Sequence, residues 1–182
     1  MSIAPLRFFV TLREIKNKFM DYKKLLISEW NSELASTRKV LGSVPENFDW
    51  KPHDKSMSLG RLATHVAEIP EWMHVTLGTS ELDFAKGYTP NVCNSKADIL
   101  ALFNKMSEKS KTTLSNISDA TMDESWTMRN GEQVYFTQSK GVVMRSFVIS
   151  HLIHHRAQLG VYLRLLGIPV PGVYGPSADE KM

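Results

Sequence analysis

Cysteine occurs once in the 182 residues, at Cys93. An intrachain disulfide is therefore excluded, and a lone thiol suits a reducing compartment, so a cytoplasmic location is expected. No apolar run approaches the roughly 18 residues of a membrane span. Basic residues are interleaved with acidic ones and the net charge is only +3, so no basic stripe for nucleic acid stands out. Neither an internal repeat nor a low-complexity run is present. The chain start lacks the basic region and small-residue cleavage site of a signal peptide, and none is expected.

What remains is an ordinary globular balance, 42% hydrophobic and 23% charged, on a length that suits one domain. Residues 1–19 combine an apolar patch with a charged run and read as an N-terminal appendage outside the core. Met20 opens the domain proper, residues 20–182. Leu26, Trp30, Leu34, Thr37 and Leu41 recur at three- and four-residue steps, which predicts a first helix from about Tyr22 to Leu41. A second is predicted from about Ser58 to Gly78, capped by Ser56 or Ser58 and bent at Pro70. A third begins at the capping sequence Ser95-Lys96-Ala97-Asp98 and buries Ile99, Leu102, Phe103, Met106, Thr113 and Leu114. The fourth spans roughly Gln138 to Leu166, before Gly167, Pro169 and Pro171. Residues 79–94 read as a polar loop. Asn130-Gly131, flanked by Trp126-Thr127-Met128 and Val134-Tyr135-Phe136, suggests a small hairpin or an ordered loop. The predicted fold class is all-α, a four-helix bundle.

Histidine placement carries the chemical signal. At about 100° per residue, His151 and His155 lie about 40° apart, in one sector with Met144, Val148, Leu159, Tyr162 and Leu166. Ser150, Arg156, Gly160 and Arg164 take the other side. Rings in an apolar stripe need partners. Two histidines four apart can share a metal ion, or can be core residues satisfied by hydrogen bonds. His65 shares the inner face of the second helix with Leu62, Ile69, Trp72 and Met73. His74 falls on the opposite face and reads as solvated, His53 as a loop residue, and His154 as bordering the stripe. Together, His65, His151 and His155 make a candidate metal set with room for water or substrate. Gln158, one turn beyond His155, either orients a ligand or bonds a neighbouring helix. Arg156 is expected in an ion pair or a dimer contact. A zinc-protease motif is absent, because Leu152 stands where its glutamate belongs.

Several segments carry a family resemblance: Asp49-Trp50-Lys51-Pro52-His53, Ser56 to His65, His151 to Leu159, Tyr162 to Pro171, and Tyr174-Gly175-Pro176-Ser177. From Met20 to the C-terminus the chain resembles the DinB-like proteins, a metal-binding four-helix-bundle superfamily of bacteria. The resemblance implies a bundle whose helices do not simply alternate up and down. It also implies a divalent ion, nickel or zinc, on His65, His151 and His155, and often a homodimer. Relatives include transferases and isomerases that use a low-molecular-weight thiol, so a thiol and an electrophile are the implied substrates. The alternative is a non-catalytic metal-binding stress-response protein. No residue beyond the three ligands is singled out as catalytic.

Overall fold

The computed structural model describes residues 22–180; the appendage 1–19 lies outside them. Helix α1 is Tyr22–Gly42, α2 Leu59–Gly78 and α3 Lys96–Asn116. The last helix, α4, is continuous but composite: Lys140–Val143, a π segment Met144–Ile149, then Ser150–Leu165. The apolar periodicity explains α1 to α3 directly. Leu26, Trp30, Leu34, Thr37 and Leu41 are all buried, as are Leu62, Ile69 and Met73 on α2. On α3, Ile99, Phe103, Met106 and Leu114 are buried, whereas Leu102 and Thr113 are only half-buried. Ser58 and Ser95 cap α2 and α3, accepting from the backbone N–H of Arg61 at 3.2 Å and of Asp98 at 3.1 Å. Pro70 sits inside α2 without ending it.

The helices do not pack in chain order. Helix α2 lies against α3 and α4, and α1 also lies against α3 and α4, while α1 and α2 barely touch. Consecutive helices α1 and α2 thus lie across the bundle diagonal. Buried Trp30 bridges α1 to α3 by donating from Nε1 to Ser110 Oγ at 2.9 Å. The loop between α1 and α2 covers the bundle, with Trp50 set edge-on to Tyr162 of α4 at 5.5 Å.

The hairpin forms, and it is part of something larger. Strands β2 (Ser125–Asn130) and β3 (Gln133–Ser139) pair antiparallel, with a bulge between Met128 and Arg129. Asn130 pairs with Gln133, so the turn residues are Gly131 and Glu132, one position later than the Asn-Gly signal implies. Gly131 has φ +59°, which a glycine at the first turn position adopts without strain. The supposed loop 79–94 contributes a third strand, β1 (Glu81–Asp83), parallel to β2. Three residues are too few to show an alternation, and β1 is half-buried throughout. Asp83 fixes the turn by accepting from the Gly131 N–H at 2.9 Å. Trp126 and Met128 of β2 form a small second core with Val143, against Trp72, Val75 and Leu82.

On α4 Met144, Val148 and Leu159 are buried as the helical wheel places them, but Tyr162 and Leu166 are only half-buried, and the buried stripe beyond the π segment lies elsewhere. It consists of Leu152, Arg156, Leu159 and Leu163, centred roughly a quarter turn from the two histidines at 100° per residue. The π segment turns through fewer degrees per residue, so Met144, Val148 and Ile149 all reach the core although a regular helix would not align them with that stripe. Arg156, placed by the wheel on the outer side, is 3% exposed. It ion-pairs with buried Glu33 at 2.7 Å, and donates to Tyr174 Oη at 2.7 Å and Thr37 Oγ1 at 3.2 Å. His74 is likewise partly covered, its Nδ1 lying 2.7 Å from Thr113 Oγ1 on α3. None of the helices among the described residues is long and apolar enough to cross a membrane.

Candidate metal centre

His65 of α2 and His151 and His155 of α4 face one another near the bundle interior. Ring centroids are 5.1 Å apart for His65–His151, and 4.6 Å for both His65–His155 and His151–His155. One potential ligand atom from each lies within 4.8 Å of the other two. His65 is buried and the other two are half-buried, so the cluster opens on one side. Trp72 lies 5.1 Å from the His151 ring and stacks on Phe147 at 5.0 Å, which walls one flank with carbon.

Two of the rings are held by their far nitrogens. His65 Nδ1 lies 3.0 Å from Glu68 Oε1, and His155 Nδ1 lies 2.7 Å from Gln158 Oε1. A carboxylate only accepts, so the His65 proton sits on Nδ1 and Nε2 keeps its lone pair. His65 Nε2 then accepts from His151 Nε2 at 3.0 Å. Oriented imidazoles with a free nitrogen turned inward are the donor set a divalent ion needs. An ion bound there would displace the proton shared between His65 and His151. Three protein nitrogens leave a coordination position for water or substrate. The residues therefore fit a divalent metal ion.

Electrostatics favour the same state. Burial pushes the His151 imidazole down to about 4, helped by the neighbouring His155, His65 and His154 rings. Burial also lowers His155, against the Gln158 hydrogen bond, which raises it. Both rings are neutral and able to ligate at neutral pH. Glu68 is 2% exposed, and burial by itself would raise its pKa. Hydrogen bonds from His65, Arg61 and Asn91 outweigh that and hold the carboxyl at about 2. Arg61 Nη2 donates at 2.7 Å, and the Asn91 backbone N–H and Nδ2 each donate at 3.1 Å.

All three histidines singled out in the sequence converge. His154 is exposed beside His155 at 4.8 Å between ring centroids, and His53 is exposed in the first loop. Glu68 was not singled out, although its position three residues after His65 on one helix is a usable signal. Asn91 carries no such signal, since it comes from the loop beyond β1. Gln158 resolves as the partner of His155 within its own helix. Cys93 is half-buried beyond Thr64, its thiol pKa raised chiefly by burial, and it is not among the candidate ligands.

Fold and site together define a four-helix bundle with three facing histidines that could hold a metal ion. The chain belongs to the DinB family, whose family model matches residues 16–181. It is 26% identical over 158 residues to the uncharacterized protein YrdA of Bacillus subtilis (strain 168), covering 85% of this chain and 89% of that protein. Its fold is similar to a crystal structure of a DinB-like protein from Bacillus cereus ATCC 10987. The TM-score is 0.64 at 23% identity, over 82% of this chain and 95% of that one. A DinB-like protein of Bacillus subtilis, YjoA, matches with TM-score 0.62 at 18% identity, over 87% and 99% of the two chains.

Proposed function

We propose that this DinB-family protein is a metal-dependent thiol S-transferase of the cytoplasm, with nickel or zinc on His65, His151 and His155. The observation that carries the reading is the convergence of three imidazoles, two anchored through Nδ1, on a half-open position. A divalent ion bound there supplies Lewis acidity that favours thiolate over thiol at neutral pH. The protein's own groups do the rest. Glu68 and Gln158 hold the His65 and His155 rings in the ligating tautomer, and Trp72 and Phe147 keep water from one flank. In the transfer, the thiol loses its S–H proton to solvent. Its sulfur forms a C–S bond to the electrophile, and the leaving group departs with its bonding pair.

Neither nucleic acid nor membrane is a proposed partner, and a homodimer is the proposed assembly. Val161 and Leu165, 58% and 61% exposed on α4, offer an apolar face for a second copy. The test uses untagged protein, so that no affinity tag loads the site. His65→Ala, His151→Ala and His155→Ala are expected to lose bound metal. Consumption of an electrophile by a thiol should stop on chelation and resume on adding Ni²⁺ or Zn²⁺. Unchanged metal content in all three variants would remove the site. Metal binding without metal-dependent turnover across a panel of thiols and electrophiles would leave a passive metal binder.

A further inference from the structure

The three-stranded sheet is an addition to the bundle, and it encloses a cavity that the bundle alone would not have. The cavity has a volume of about 140 Å³. It lies between α2 and the sheet, lined by Trp72, Val75 and Thr76 from one side and by Leu82, Tyr88 and Trp126 from the other. Its surface is carbon nearly throughout. Trp126 turns its indole N–H away to Thr79 Oγ1 at 3.2 Å. Glu71, at the wall, is ion-paired with Lys109 at 3.0 Å.

Trp72 belongs to both the cavity and the metal centre. Its ring lines the cavity and also sits 5.1 Å from His151 and 6.3 Å from His65. Tyr88 closes the other side, 44% exposed and within reach of the Glu68 charge. A carbon-lined cavity of this size accepts one benzene-sized group, and apolar pockets beside a few convergent polar groups are where small ligands bind. We propose that this cavity holds the apolar group, a single six-membered ring or a short branched hydrocarbon, of the small molecule acted on at the histidine centre. Under the transferase reading, on which that role rests, the molecule is the electrophile. The sheet then selects the substrate while the bundle supplies the chemistry.

Toluene serves as the probe, titrated into the full chain and followed by NMR, with Co²⁺ loaded as a paramagnetic reporter. Wild type is expected to bind toluene, and Co²⁺ to speed relaxation of the bound toluene protons. Val75→Phe fills the cavity and should weaken toluene binding at least about tenfold while retaining Co²⁺. Leu82→Ala enlarges the cavity and should gain binding of naphthalene. Val75→Phe should also lower kcat/KM for a benzylic electrophile relative to a small polar one. No toluene binding to wild type would overturn the proposal, as would equal binding to Val75→Phe or no relaxation effect from bound Co²⁺. Toluene binding that Val75→Phe abolishes, with no thiol turnover by either protein, would remove the transferase reading and leave the apolar site standing. If Co²⁺ does not load, the metal reading falls, and the toluene titration alone decides on the cavity.

Discussion

Replacing Glu68 by glutamine should damage the metal centre without touching a ligand. All four contacts to this carboxylate come from donors: His65 Nδ1 and Arg61 Nη2 on Oε1, and the Asn91 backbone N–H and Nδ2 on Oε2. An amide must point its NH₂ at one of those pairs, donor against donor. If it faces His65, the ring must reverse its tautomer, which puts a proton on Nε2 where an ion would bind. If it faces Asn91, two donors of the loop lose their acceptor. The gap between an ordinary 4.5 and about 2 for this carboxyl corresponds to roughly 3 kcal/mol of preferential stabilisation of the charged form. Glu68→Gln should therefore lower unfolding free energy by about 3 kcal/mol, and lower Ni²⁺ or Zn²⁺ affinity about 10- to 100-fold, as losing an outer partner of a ligating histidine does. Urea unfolding of the metal-free protein reads the first quantity, and calorimetric metal titration the second. A variant that unfolds as wild type does and binds metal with wild-type affinity would refute the orienting role of Glu68.

Arg156→Met should cost about 3–5 kcal/mol in urea unfolding, because it strands the buried Glu33 carboxylate; metal affinity should hold, since Arg156 faces away from the centre. Gly60→Ala should destabilise by about 1–3 kcal/mol, since its Cβ would stand 2.7 Å from Phe48 Cβ; a gain in melting temperature would contradict this contact. The metal-free protein should lose stability as pH falls from 6.5 towards 4. His151 titrates at about 4 when folded and at an ordinary 6.5 when unfolded, so the unfolded chain binds the extra proton in that window. Equilibrium unfolding at several pH values checks the sign, and His151→Asn should flatten the profile.

Most of the helical frame is legible along the chain. Leu26, Trp30, Leu34, Thr37 and Leu41 announce the buried face of α1 because an isolated amphipathic helix carries its own periodicity. Ser58 and Ser95 announce helix starts because capping is local. The three candidate ligands are legible as well: His151 and His155 by their four-residue spacing, and His65 by its place on an inner face, with the family resemblance pointing to the same set. Strand β1 was hidden, since three half-buried residues acquire their identity only by pairing with β2, more than 40 positions away. The buried stripe of α4 was misplaced because a π segment breaks the constant angle that a helical wheel assumes. Arg156 is expected from the chain in an ion pair or a dimer contact, but its burial and its partner are not legible there, because Glu33 stands 123 residues earlier. Short-range chemistry is written along the chain: helices, caps and the supply of imidazoles. What depends on distant segments meeting is settled by the fold alone. That includes the approach of His65 to His151, the clamp of Arg61 and Asn91 on Glu68, and the apolar cavity closed by the sheet, because contacts across a fold leave no period in the chain.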